Sequence, residues 1–555
     1  MNDMAAPAIH EAARTGDRAV RHFRQVLLWP LQLVSTRGQD AHARHWESLG
    51  SDSRWSEVVD EYTGDPKHFG ERHYNEFVSF LPYVQRFLYG EGRSQRGGAG
   101  IGSPMRVFRR SDIVAVRVVI SAGAASITLQ IKHIDLYFFY DLDVALLNVE
   151  VSADDLTLTQ AEEVMYRFGR AYPASWSASG EPQHCLQQLE WLGAEGQVLA
   201  ASDAQRRELF LAHVAQHRAP RIATHWAYLL EPLVAEHSER DGALRFRQIE
   251  YHRMPMMAYL AMDAPRTLDR ADFIRLGLVT GASQREATLP FADSHVADFE
   301  QRFCYDRFWA DAGAAPNTRY LCNGYSLVVI GDAGSEFYRC AERGVLAQFR
   351  HQHFLLFLIA HSQKAALLMF SDGLSRAMRD LDLRSPESIK RFKRSIRIAF
   401  EGFLRFTHRY WFHEISDQAQ VHALFQLCAS HLGLDPLYAE VKDRIADMSS
   451  YLDADSLRRQ ANTVVRLTVV TMFGLIGTVT TGFLGMNLIA AAEEPLVLRI
   501  VGFLIVLVLT TALTFYTIIK SRRLSDFLDA LSDERFSMWT KMKAIGAVWR
   551  RTRGG

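Results

Sequence analysis

The chain has 555 residues, of which 48% are hydrophobic and 23% are charged. This length exceeds what one hydrophobic core usually supports, so we expect two or more domains. The 63 basic and 63 acidic side chains balance, which excludes a general attraction to nucleic acid, and we expect no nucleic-acid partner.

Residues 1–335 are expected to form a cytosolic α/β domain. Runs rich in β-branched and aromatic residues predict strands, a helix is predicted over 157–172, and a Gly-rich stretch at 89–104 is predicted to be a flexible loop. The predicted strands are 114–121, 126–134, 136–142, 145–152, 255–262 and 325–331.

Residues 336–434 are expected to form a cytosolic helical section. The pattern predicts one long helix over 336–380, and a second from Ser385-Pro386 to about His413. Serine followed by proline is a favourable pair of residues at a helix start.

A stalk helix is predicted over 435–466, beginning with Asp435 as the N-cap and Pro436 as the first helical residue. Neither proline nor glycine occurs from Leu437 until Gly474. A helix over 436–486 would be on the order of 75 Å long. Its apolar stripe needs neighbouring helices or copies of itself as a partner. The stripe consists of Leu437, Val441, Ile445, Met448 and Leu452.

Two uncharged runs predict transmembrane helices over 467–487 and 500–519, joined by a loop over 488–499. A buried helical pair in a large core is the alternative. Basic residues flank both outer ends, so we expect the loop outside and both termini, including a basic tail over 520–555, in the cytoplasm. These residues are Arg458, Arg459 and Arg466 before the first run, and Lys520, Arg522 and Arg523 after the second.

Features elsewhere agree with a cytosolic location for everything ahead of the first span. The N-terminal segment lacks the apolar core of a secretory signal. The scattered cysteines form no Cys-x-x-Cys pair, which is typical of a reducing compartment. They are Cys185, Cys304, Cys322, Cys340 and Cys428.

The first predicted span ends in Gly485-Met486-Asn487. This tripeptide, between a long stalk and a short loop in a terminal hairpin, resembles the CorA family, which includes magnesium channels and the ZntB zinc transporters. The motif-level resemblance covers about residues 436–520. It implies a funnel-shaped homopentamer in the bacterial inner membrane, with two spans per subunit embedded in the lipid bilayer and the first span lining the pore.

The resemblance makes Gly485, Met486 and Asn487 the selectivity filter. A ring of Asn487 amides would hold a hydrated Mg²⁺ by hydrogen bonds without stripping its water. Gly485 would permit a sharp exit from the helix, and Met486 would pack behind the ring. An ordinary helix cap is the alternative role for Asn487.

The resemblance also places pore-lining positions along the first span. Thr478 and Gly482 would border the pore, whereas Leu475, Leu467 and Val464 would form hydrophobic constrictions that gate by dewetting. The alternative is that Thr478 and Gly482 belong, with Thr471 and Gly474, to a small-residue stripe for close helix packing.

Acidic residues offer two weaker candidates. Glu493 and Glu494 in the loop would form an external collar that concentrates cations, or are simply exposed loop acids. The loop lacks the Met-Pro-Glu-Leu-like signature usual in the family's magnesium channels. Glu440, Asp443 and Asp447 share a face of the stalk and would bind regulatory Mg²⁺, or form a solvated charged face.

Several histidines invite a zinc site, but their spacing and apolar neighbours favour packing or surface positions. They are His351, His353, His361, His408 and His413. We find no nucleophile, carboxylate pair or phosphate-binding loop, and therefore expect neither an enzyme nor an organic cofactor.

The sequence thus predicts a channel for divalent cations, with Mg²⁺ as the transported ion and as the candidate regulatory ion. Entry down an inside-negative potential yields about 4.6 kcal/mol per divalent ion at 100 mV. Two alternatives remain: a transporter of Zn²⁺, Co²⁺ or Ni²⁺ of the ZntB kind, and a non-conducting membrane-anchored sensor.

Overall fold

The structure is a computed structural model, and it falls into two compact units, Met1–Ile445 and Ala446–Gly555. It describes residues 18–35, 44–49, 52, 54–58, 70–90, 103–242, 244–250, 252–282, 289–382, 386–490, 495–498, 500–502, 504–506, 508–512 and 516. The predicted loop at 89–104 and the tail at 520–555 lie largely or wholly outside these residues.

In the first unit, runs of strands are separated by helices along the chain. The strands are β1 Ala19–Ser35, β2 Trp55–Glu57, β3 Met105–Arg110, β4 Ala115–Val119, β5 Ile127–Phe139, β6 Val144–Thr157, β7 Ser175–Trp176, β8 Pro182–Gln183, β9 Gln188–Leu192, β10 Val198–Ala201, β11 Val234–Ala235, β12 Leu244–Gln248, β13 Met256–Met262, β14 Cys304–Tyr305, β15 Arg319–Cys322 and β16 Ser326–Asp332.

The α-helices are α1 Glu71–Val78, α2 Pro82–Tyr89, α3 Leu158–Arg167, α4 Arg207–His217, α5 Thr224–Leu230, α6 Arg270–Leu278, α7 Asp293–Val296, α8 Phe299–Phe303, α9 Glu336–Arg339, α10 Val345–Gln348, α11 Phe354–Arg379, α12 Pro386–Arg409, α13 Ala419–Leu432 and α14 Leu434–Ala490. Short 3₁₀ turns cover His45–Leu49 and Pro265–Thr267, and a π-helical turn covers Phe349–His353.

A 14-stranded sheet forms the centre of the first unit, in the order β10-β9-β4-β5-β6-β1-β13-β16-β15-β14, with β2, β3, β11 and β12 as side branches. β1 pairs with β6 on one side. On its other side it pairs first with β13 and then with β12. The mixed α/β prediction is therefore confirmed at this level.

Pro30 lies where β1 changes partner. Pairing with β13 ends at Leu27, and pairing with β12 begins at Leu31. The N–H of Leu28 donates to the Pro255 carbonyl on the β13 side, at 2.8 Å. Since backbone groups alternate in direction along a strand, the Pro30 nitrogen faces this same side, at the break. A proline is tolerated there because no ladder bond requires its missing N–H.

Helices cover both faces of the sheet. On one face the rings of Trp29, Trp191 and Phe168 surround Trp226 of α5, with centroid distances to Trp226 of 6.2, 5.7 and 5.7 Å. The Trp226 indole N–H donates to the Arg170 carbonyl at 2.7 Å, so its polar atom is satisfied in the core. On the other face α11 contacts β1 and β6, and it also packs against α12 and α13.

Two predicted boundaries were wrong. The strands predicted at 126–134 and 136–142 form the single strand β5, because Arg109 pairs with the buried Asp135 between them at 2.7 Å. The helix predicted over 336–380 is interrupted after α9, since the backbone at Gly344 is extended, and α10, the π turn and α11 form one continuous helical stretch after it.

The start of α14 also differs from the prediction. Gly433 adopts a φ of 64° and ends α13, and its carbonyl accepts the N–H of Leu437 at 3.2 Å. Since α14 begins at Leu434, Asp435 and Pro436 lie inside the first turn, two positions further into the helix than predicted. Proline is tolerated there because first-turn N–H groups have no partner within the helix.

Candidate pore-lining helix

One face of α14 carries every residue that was predicted to line a pore. At 100° per residue, Val464, Leu467, Leu475, Thr478 and Gly482 fall within about 80° of arc. All five are exposed in the single chain, Leu467 at 67% and Leu475 at 66%. We call this set, together with Thr471, the exposed stripe. The structure therefore brings the predicted positions onto one surface.

The opposite face of α14 is shielded by the protein. Val469 retains only 7% of its exposure, and Phe473 and Gly477 are half-buried at successive steps of four residues. This shielded face lies about 160° from the centre of the exposed stripe. The segment is consequently two-sided, although nearly all of its residues are uncharged.

The helical segment Leu496–Ala512 has the same two-sided character. Gly502, Val506 and Thr510 are half-buried at intervals of four. Large apolar residues on its other faces are exposed. They include Leu504, Ile505, Val508 and Leu509. Exposed apolar surface of this extent is typical of a face covered by lipid or by another protein.

Threonine hydroxyls on α14 donate to their own helix. Thr471 donates to the Leu467 carbonyl at 2.8 Å, and Thr478 donates to the Gly474 carbonyl at 2.9 Å. Such bonds satisfy the hydroxyl proton without a partner outside the helix. They leave the lone pairs of the oxygen directed outwards, where they can accept hydrogen bonds from the water around a cation.

The backbone at Gly485, Met486 and Asn487 is helical, and α14 continues to Ala490. The predicted helix exit at Gly485 was therefore wrong. Leucine and alanine in the following residues favour continuation, and no proline occurs until Pro495. The filter side chains, and Glu493 and Glu494 as a whole, lie outside the part of the chain that the structure describes.

The predicted regulatory acids Glu440, Asp443 and Asp447 are all exposed on α14. The Glu440 carboxylate pairs with Arg444, four residues later, at 2.5 Å. Arg444 also donates to the Ser371 hydroxyl at 2.9 Å. This ion pair is the arrangement expected of a solvated charged face, and the regulatory Mg²⁺ site remains a prediction.

The histidines that invited a zinc interpretation are dispersed. His353 and His361 are fully buried, and burial lowers the pKa of each to about 3. His351 pairs with Glu76 at 3.0 Å. His408 and His413 are exposed. Packing and surface positions, which the sequence favoured, are therefore confirmed for this set.

One helical stretch among the described residues is long and apolar enough to cross a membrane, Val345–Arg379. Its most apolar window is 83% buried inside the protein, as a core helix would be. At the two predicted spans the structure has shorter apolar helical segments, Thr463–Leu475 and Leu496–Ala512. Sequence reasoning did not identify the shielded face, although Phe473 and Gly477 continue the four-residue step from Val469.

No protein-family model, curated protein or solved structure matches this chain.

Proposed function

We propose that the chain is a homopentameric channel of the CorA type that passes a divalent cation, most readily hydrated Mg²⁺, across the bacterial inner membrane. The observation that carries this proposal is the two-sided construction of α14. Its exposed stripe lies opposite a shielded face, which suits a helix that lines a central pore and is backed by a second span. Five such helices would turn the stripes towards one axis.

The chemistry of the stripe supports a cation pathway. Thr471 and Thr478 offer oxygen lone pairs, and Gly482 offers bare backbone. Mg²⁺ gives up its water reluctantly, so acceptors that bind the hydration shell suit it better than a closed cage of ligands. In the proposed pentamer, the Asn487 side chains form a ring of amide oxygens at the outer mouth and select the hydrated ion.

Apolar members of the stripe provide a gate. Val464, Leu467 and Leu475 are exposed at successive levels of one face. In a narrow pore, rings of such side chains exclude water and block ions until the helices separate. The proposed driving force is the inside-negative membrane potential, worth about 4.6 kcal/mol for a divalent ion at 100 mV.

Cation flux into proteoliposomes tests the proposal. We expect Mg²⁺ flux from the wild-type chain, and at least a tenfold loss in Asn487→Ala. Thr478→Val keeps the side-chain shape but removes the acceptor from the stripe, and we expect a severalfold loss. Thr481→Val is the matched control, since Thr481 also donates to its own helix but is half-buried beside the stripe.

Flux that survives Asn487→Ala unchanged would refute the filter. Zn²⁺ or Co²⁺ flux without Mg²⁺ flux would favour a transporter of the ZntB kind. Absence of any flux would favour the membrane-anchored sensor. An oligomer mass other than five subunits would remove the pore geometry.

A further inference from the structure

Three histidine rings lie together on the surface of the first unit. His213 and His217 are four residues apart on α4, and His237 follows β11. Their ring centroids are 4.6 Å apart for His213 and His217, 4.9 Å for His217 and His237, and 6.2 Å for His213 and His237. His213 and His217 are half-buried, and His237 is exposed.

We propose that these three imidazoles bind one transition-metal dication of the Zn²⁺ class. A Zn–N bond is about 2.0–2.1 Å, so three rings around one tetrahedral ion have centroids about 5 Å apart. The three observed separations bracket this value. Two histidines at positions i and i+4 of a helix also present their rings on one face, which is the usual helical contribution to a zinc site.

Binding requires side-chain rotation. In the described part of the chain, no three His, Cys, Asp or Glu side chains are arranged to hold a metal as they stand. The rings of His217 and His237 are stacked, with an interplanar angle of 12°, so their nitrogens do not yet converge. His237 is exposed, and a change between staggered rotamers of an exposed side chain is a small step.

The end of α4 favours a cation at this place. His217 is the last residue of α4, where the helix dipole is negative. Burial lowers the pKa of His213, and His217, His237 and Arg221 act in the same direction. The nearby Arg221 is held by Asp203 at 2.6 Å and lies over the ring of Phe210.

The ligand type separates this site from the proposed pore. Imidazole nitrogen suits Zn²⁺, Cu²⁺, Ni²⁺ and Co²⁺, whereas Mg²⁺ prefers oxygen. The inference therefore does not depend on the proposed channel function, and it assigns the first unit a metal that differs from the proposed cargo.

Isothermal titration calorimetry tests the site. ZnCl₂ is titrated into the full chain in detergent, with MgCl₂ present in excess. We expect His213→Ala, His217→Ala and His237→Ala each to weaken zinc binding at least tenfold. His295→Ala is the matched control, an exposed histidine on the short helix α7, and we expect wild-type binding. Co²⁺ should give the visible absorption of a tetrahedral nitrogen site in the wild type and lose it in the three variants.

Two results would overturn the proposal. Wild-type zinc affinity in His237→Ala would show that the third ring is not a ligand. Loss of the zinc heat in Asn487→Ala, with no change in the histidine variants, would assign the binding to the proposed pore. Zinc binding that persists in Asn487→Ala would support the histidine site even if the channel proposal failed.

Discussion

His361 offers a direct test of how the first unit depends on pH. It lies within α11 with none of its surface exposed. Burial, with a smaller contribution from Lys364, lowers its pKa to about 3. Its Nε2 atom is 3.1 Å from the Gly324 carbonyl oxygen, to which the neutral ring donates. The unfolded chain, by contrast, takes up a proton at this residue near pH 6.5.

The sign and size of the effect follow from this difference. Between pH 6.5 and about 3 the unfolded chain binds more protons than the folded chain, so the free energy of unfolding decreases as the pH falls. The full contribution of His361 to the free energy of unfolding is present above pH 6.5. For a single group with these two pKa values, the loss between pH 7 and pH 5 is about 2 kcal/mol.

Replacing His361 with glutamine separates titration from packing. Glutamine retains an N–H donor for the Gly324 carbonyl but does not titrate. Whatever its effect at pH 7, we expect His361→Gln to reduce the loss of unfolding free energy between pH 7 and pH 5 by about 2 kcal/mol.

Urea unfolding of the full chain at both pH values, monitored by near-ultraviolet circular dichroism, measures the slope of the unfolding free energy against pH. His295→Gln, which replaces an exposed histidine, is the control and should keep the wild-type slope. An unchanged slope in His361→Gln would refute the account of a buried neutral imidazole.

The same urea assay at pH 7 tests three further predictions. Arg24→Met should cost about 3–5 kcal/mol, because Glu150, 2.7 Å away and buried like Arg24, would lose its closest charge partner; Arg24→Met with Glu150→Met should recover part of this loss. Thr157→Ala should cost about 1 kcal/mol by removing the N-cap of α3, and an unchanged midpoint would contradict that role. Gly344→Ala should cost more than about 3 kcal/mol, since a Cβ there would lie 1.8 Å from the Phe337 carbonyl oxygen; a cost below 1 kcal/mol would exclude that clash.

Elements of the first unit with strong local patterns could be predicted from the sequence. The runs at 255–262 and 325–331 are confirmed as β13 and β16, which pair in parallel, because buried strands are continuously apolar. The helix predicted over 157–172 is confirmed as α3, which is shorter and ends at Arg167.

The central strand could not be predicted, for reasons that are tertiary. β1 contains Arg24, Gln25 and Pro30, which argue locally against a buried strand. Arg24 is stabilised by Glu150 on the neighbouring strand, and Pro30 lies at the change of partner between β13 and β12. Both compensations depend on residues distant in the chain.

The histidine cluster was only half visible in the sequence. The spacing of His213 and His217 predicts a shared helix face, but the position of His237 depends on how the segment after β11 folds back. The exposed stripe shows the reverse case, because regular helical spacing fixed the angular relation of Val464, Leu467 and Leu475 in advance. Only the structure shows that the opposite face is shielded.

The composition of the exposed faces suggests which environment each requires. The second segment presents Leu504, Ile505, Val508 and Leu509, which are apolar and well suited to lipid, and among its described positions Thr511 is the exposed hydroxyl residue. The exposed stripe of α14 mixes leucine and valine with Thr471, Thr478 and Gly482, whose hydroxyl oxygens and backbone can interact with water. A face turned wholly to lipid gains nothing from these oxygens, whereas a narrow aqueous path needs both the acceptors and the apolar constrictions. The difference between the two helices therefore supports α14 as the inner helix of the proposed pore.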